Sequence, residues 1–126
     1  MILTKEWIGG FVNGEGCFTF GGANKISPYF TISLRITDLT ILEMLKEILG
    51  VGSICIHKKQ NSCTYQVCSL SVNKIIKFFE NQFIGDKLID FENWKKGVKL
   101  WEQQNHKYSD ELFELIKTLK PKYRHL

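Results

Sequence analysis

The sequence predicts an α+β domain in the order α-ββα-ββα, with a curved antiparallel sheet and additional C-terminal helices. Three observations carry this. Apolar and polar residues alternate in four segments, the period of a half-buried strand. Segments with helical spacing separate these strands into two pairs. A block of two strands and a helix therefore occurs twice. Strands joined by short turns pair antiparallel, and helices between the pairs cover one face of the sheet. The 126 residues suit one domain, 1–126, with a single core.

Residues 4–13 read as the first helix. Thr4 is its N-cap, Glu6 lies in its first turn, and Ile8, Phe11 and Val12 form its apolar face. Asn13-Gly14 is the stop. Residues 17–22 form a strand with Phe18 and Phe20 on one side. A loop marked by Gly21, Gly22, Asn24 and Pro28 leads to the clearest strand, where Phe30, Ile32, Leu34 and Ile36 alternate with Thr31, Ser33, Arg35 and Thr37. Asp38 then caps a helix carrying Ile41, Leu42, Leu45, Ile48 and Leu49, which Gly50 ends. In the second block, residues 52–58 set Ile54 and Ile56 against Ser53, Cys55 and His57. After a polar turn at 59–62, residues 63–70 set Tyr65 and Val67 against Thr64, Gln66 and Cys68, with a phase slip at Ser69-Leu70. A helix follows at about 72–82, with Val72, Ile75, Ile76 and Phe79. Helices at 87–103 (Phe91, Trp94, Val98, Trp101) and 110–119 (cap Ser109, stop Pro121) complete the chain.

Composition narrows the classes. Hydrophobic residues at 44% and charged residues at 24% fit an ordered globular chain rather than a disordered one. No apolar run reaches the roughly 18 residues of a membrane span, and MILTKEWIGG is no signal peptide. An intracellular protein without a membrane partner is expected. Cys17, Cys55, Cys63 and Cys68 form no C-x-x-C pair and no zinc pattern, so reduced thiols are expected. The net charge of +4 hints at a polyanionic partner. Lysine outnumbers arginine 15 to 2, with 14 Ile, 7 Asn and one Ala; these residue types have A/T-rich codons and suggest an A/T-rich genome, such as an organelle's. The polar strand faces carry Thr, Ser, Arg, Cys, His and Gln. Such a face is compatible with an idle solvated surface or with a β platform in a DNA groove.

The most informative segment is WIGGFVNGEGCF, residues 7–18. Gly9 and Gly10 each cost a helix about 1 kcal/mol relative to Ala. Close approach by another helix would offset that cost. Glu15 falls just past the predicted helix end, beside the negative end of the macrodipole, where a carboxylate is unfavourable without a cation. Gly14 and Gly16 free the backbone on either side. Singly, these residues fit a glycine-rich loop with a solvated glutamate; together they point to a site.

IGGFVNGEG, Ile8 through Gly16, resembles the signature of the LAGLIDADG homing endonucleases. Gly10, Phe11, Val12, Gly14, Glu15 and Gly16 fit it, while Asn13 stands where an acid is common and Gly9 where Ala is common. The α-ββα-ββα order is that family's fold. ILGVGSI at 48–54 resembles its entry to the third strand, and FIGDKLIDFENW at 83–94 resembles its late-helix lysine, Asp-Phe and aromatic.

The resemblance implies a metal-dependent DNA endonuclease that cuts both strands of a long pseudo-palindromic site. With one motif in this chain, it implies a homodimer through the first helix, with Ile8, Gly9, Gly10, Phe11 and Asn13 at the interface. It implies Mg²⁺ held by Glu15 and the Gly14 carbonyl, with Lys87 near the scissile phosphate and Asp38 near the water network. Asp38 reads more readily as a helix N-cap. For DNA contact it implies Thr19, Lys25, Tyr29, Thr31, Ser33 and Arg35 on the first hairpin. On the second it implies Ser53, Cys55, His57, Lys58, Lys59, Thr64, Gln66 and Cys68, with Lys58 and Lys59 meeting phosphates. Arg35 is the leading candidate for a base contact. It also implies coding by an intron or other mobile element. The rival expectations are a non-cleaving nucleic-acid binder, such as an intron RNA maturase, and an unrelated α+β domain with a protein partner.

Overall fold

The computed structural model describes residues 3–21, 26–105 and 109–117. Its strands are β1 (Cys17–Gly21), β2 (Ser27–Arg35), β3 (Ser53–His57) and β4 (Ser62–Cys68). They form one antiparallel sheet in the order β1-β2-β4-β3. The helices are α1 (Lys5–Glu15), α2 (Leu39–Leu49), α3 (Val72–Phe78), α4 (Gly85–Gln103) and α5 (Asp110–Lys117). The predicted α+β order is therefore the observed one.

Alternation decides which sheet face is covered. Along β2, Pro28, Phe30 and Ile32 are buried, and along β4, Cys63, Tyr65 and Val67 are buried. Phe30, Ile32, Cys63, Tyr65 and Val67 meet Leu42 and Leu45 of α2, Val72 and Ile75 of α3, and Phe91 and Trp94 of α4 in one core. Phe18 is the hub, with ring centroids of Phe30, Phe83, Phe91 and Trp94 all within 5.0–5.6 Å. The Tyr65 hydroxyl donates to the Val51 carbonyl at 2.6 Å, and burial pushes its pKa up to about 12. A buried phenol needs such an acceptor.

Several boundaries differ from the expected ones for identifiable reasons. Thr4 caps α1 as predicted, its Oγ1 accepting from the Trp7 amide at 3.1 Å. Asn13-Gly14 does not stop the helix, because the Asn13 side chain accepts from the Ile84 amide at 3.0 Å instead of breaking the helical ladder. Gly16 ends it, its backbone N–H donating a hydrogen bond to the Val12 carbonyl at 2.8 Å. A Cβ on Gly16 would stand 2.6 Å from a Val12 methyl, so the tight passage from α1 into β1 requires glycine. Glu15 is consequently the last residue of the helix rather than the first beyond it.

Strand β2 stops at Arg35, and Ile36–Asp38 form a 3-10 turn into α2. Asp38 occupies the cap position but makes no side-chain cap bond. Ser69 at φ +58° turns the chain out of β4, which accounts for the phase slip there. Helix α3 is shorter than predicted, ending at Phe78, with Asn81 left-handed at φ +63° in the connection to α4. Ile56, predicted for the covered face, is 48% exposed because β3 is an edge strand. Ser109 caps α5 through the Leu112 amide at 3.1 Å. The predicted end of that helix at 119 and Pro121 lie outside the described residues.

Candidate functional site

Strand register assembles the polar face into rows. Cys17, Thr31, Gln66 and Ser53 stand side by side across all four strands. Ser33, Thr64 and Cys55 form the next row, and Arg35, Ser62 and His57 the one after. On the other side lies the row of Thr19, Tyr29 and Cys68. Neighbouring rows are two residues apart along a strand, about 7 Å. The Ser33 and Thr64 hydroxyls hydrogen-bond each other at 2.9 Å across the strands. Lys58 and Lys59 are exposed in the 3-10 turn that joins β3 to β4.

Every predicted strand candidate from Thr19 to Cys68 within the described residues thus lies in these rows. Lys25 lies outside the described residues. Cys17 and Ser62 also occupy row positions, although sequence reasoning marked neither for this face. The strand period, extended one step from Thr19 to Cys17 and from Thr64 to Ser62, identifies both.

Glu15 and Gly14 are exposed at the end of α1. Gly14 has open space around it, with nothing within 4 Å of an added Cβ. Lys87, on α4, is only 4% exposed, and its ammonium donates to the Gly16 carbonyl, one residue beyond Glu15. Its chain also passes Phe18, with Nζ 5.9 Å from the ring centroid. The fold therefore gathers Gly14, Glu15, Gly16 and Lys87 at the α1–β1 junction, beside the row that starts at Cys17. Asp38 belongs to another neighbourhood. Burial first, then the Asp38 and Glu43 carboxylates, push the Cys63 thiol above its ordinary pKa, against a backbone hydrogen bond at Leu34. Among the described residues, no three His, Cys, Asp or Glu side chains cluster as a metal site.

Helix α1 has two unlike faces. Ile8 is 1% exposed and belongs to the chain's own core. Gly9 is also turned inward, since a Cβ there would stand 2.8 Å from Gln82 Oε1. Asn13 is tied to Ile84. Gly10 has nothing within 4 Å of an added Cβ. Trp7, 42% exposed, stacks on Phe11 with ring centroids 5.1 Å apart. The outward stripe is thus Trp7, Gly10, Phe11 and Gly14, of which Phe11 is half-buried and also packs against the core. Of the residues predicted for an interface, Gly10 and Phe11 lie on it, whereas Ile8, Gly9 and Asn13 are engaged within the chain. Helical spacing from Gly10 places Trp7 and Gly14 on the same outward stripe.

Comparison with known proteins agrees with this arrangement. The family description "LAGLIDADG endonuclease" matches residues 8–98. The chain is 29% identical over 108 residues to "Probable intron-encoded endonuclease Cox1-I1b" of Schizosaccharomyces pombe, covering 79% of this chain and 28% of that protein. It superposes with TM-score 0.86 and 27% identity on the crystal structure of the LAGLIDADG homing endonuclease I-GzeII in complex with its DNA target, covering 98% of this chain and 46% of that one. The homing endonuclease I-TnaI shares the fold at TM-score 0.85 and 24% identity, over 95% of this chain and 90% of that one. The chain therefore spans less than a third of that curated relative and about half of the DNA-bound structure. No described helix is long and apolar enough to cross a membrane. With the motif, the sheet and the family match in agreement, the chain belongs to the LAGLIDADG endonucleases.

Proposed function

We propose that this chain is a sequence-specific DNA endonuclease that makes a metal-dependent double-strand break in a long pseudo-palindromic site as a homodimer. The observation that supports it best is the exposed Glu15 carboxylate at the junction of α1 and the polar rows. A strand face of hydroxyl, amide and guanidinium groups suits base edges in a groove, and an acid at its head suits the phosphodiester beside it.

Glu15 and the Gly14 carbonyl are hard oxygen donors, the class that Mg²⁺ takes. The exposed carboxylate and the open space at Gly14 fit an ion that keeps most of its waters and phosphate ligands. When bound, the metal supplies a more acidic water and charge stabilisation at the phosphate. Lys87 holds the Gly16 carbonyl and so fixes the backbone that carries Glu15. Its positive charge favours the negative charge that develops at the junction during hydrolysis. One chain offers one such acid. A second copy packed on the outward stripe of α1 supplies the other, and the shared two-fold axis gives the target its symmetry. The A/T-rich residue usage and the intron-encoded relative support coding within an organellar intron.

The test is selection of cleaved sites from a randomised duplex library, with Mg²⁺ and with EDTA, for the wild type and Glu15→Gln. A palindromic site cut only with Mg²⁺, and bound within a few fold but uncut by Glu15→Gln, is the expected result. Binding without cleavage would replace the endonuclease with a non-cleaving nucleic-acid binder, such as an RNA maturase. Absence of binding would remove DNA as the partner.

A further inference from the structure

Helix α4 engages the β1–β2 hairpin at three points along one of its faces. Trp94 Nε1 donates to the Thr19 carbonyl at 3.0 Å, and Trp101 Nε1 donates to the Ile26 carbonyl at 2.9 Å. Between them, an added Cβ on Gly97 would stand 2.9 Å from the Phe20 ring, so that ring fills the slot the glycine leaves. Residues 94, 97 and 101 follow the i, i+3, i+7 spacing of one helix face. Both indoles are almost fully buried. A buried indole N–H requires an acceptor, yet any nearby carbonyl would serve. Here both acceptors are main-chain oxygens of the hairpin.

We infer that Trp94, Gly97 and Trp101 are positioning residues that set the depth and angle of the β1–β2 hairpin in the DNA groove, and hence the base contacts of Thr19 and Tyr29. This rests on the DNA-reading role proposed above. Thr19 and Tyr29 are register partners, immediately beside the clamped backbone. Arg35 lies six residues farther along β2 than Tyr29, about 20 Å away, beyond these three α4 contacts. Base readout depends on donors and acceptors held within about half an ångström of their partners. Loss of one clamp bond therefore acts locally.

The test is base-by-base binding of the full chain to its selected duplex and every single-base variant, for the wild type, Trp101→Phe, Tyr29→Ala and Arg35→Ala. Trp101→Phe keeps the aromatic volume and removes the N–H. The expected result is about a tenfold loss of discrimination, the order of one lost hydrogen bond, at the base positions that Tyr29→Ala identifies. Positions identified by Arg35→Ala should retain theirs. An equal loss at all positions, or no loss, would overturn the inference. Hydrogen exchange on the unbound wild type supplies a check that needs neither DNA nor a stable variant. The two indole protons should exchange in one step with the Thr19 and Tyr29 amides; free exchange of either indole would overturn the clamp. A wild type that binds no duplex while showing this coupled exchange would instead overturn the DNA-reading role.

Discussion

At the scale of single residues, Arg35 has the clearest consequence. It is exposed at the end of β2, beside Ser62 and two strands from His57. A guanidinium in that place can pair bidentately with guanine, a contact that reads one base rather than the backbone. Arg35→Ala should lower discrimination at one base position of each half-site by roughly 1–3 kcal/mol, leaving the other positions unchanged. Binding to a panel of single-base variants checks it; a uniform loss would make Arg35 a phosphate contact. The site's chemistry was legible at this scale where a residue broke a local rule. Glu15 at a helix end, flanked by two glycines, is such a residue. The Lys87–Gly16 bond was not legible, because it joins positions 71 apart in the chain. Only the packing of α4 on the α1–β1 junction brings them together.

Among elements, α1 is the most informative. Its inner face carries Ile8, Gly9 and Val12, and its outer face Trp7, Gly10, Phe11 and Gly14. Gly10→Leu should leave the fold intact, since the added side chain starts in open space. It should even raise stability by about 0.5–1 kcal/mol, the helix propensity that glycine forgoes. Self-association through α1 should fail in the same variant. Sedimentation should therefore show a folded monomer; a persistent dimer would move the interface elsewhere. Sequence periodicity was enough to name each strand and α-helix among the described residues, because the period of two or of 3.6 survives wherever one face is buried. It failed at ends. Asp38, Ser69 and Gly16 are settled by 3-10 turns, a left-handed residue and a van der Waals limit, none of which has a period. Likewise, two glycines in succession look alike in a sequence, although Gly9 meets Gln82 and Gly10 meets nothing.

For the whole molecule, charge and topology matter most. The net charge of +4 is modest, but Lys58 and Lys59 are both exposed in the β3–β4 turn. Each phosphate a lysine neutralises releases counterions and adds about 0.9 to the slope of log affinity against log salt. Replacing both by Ala in a homodimer should flatten that slope by about 3–4, with the ranking of target sequences unchanged. A salt titration of both proteins on one duplex measures this. Sheet order has a different consequence, and it concerns how the molecule comes into being. Each hairpin is local and closes in microseconds once its residues are available. The central β2–β4 ladder instead joins distant residues, as with Ser33 and Thr64, 31 positions apart. During synthesis at about 5–20 residues per second, β2 leaves the ribosome seconds before β4. For that interval its inner edge is unpaired, and the nearest strand able to cover it belongs to another nascent copy. Crowding of copies on one messenger thus competes with folding through β2, the strand that later carries Arg35.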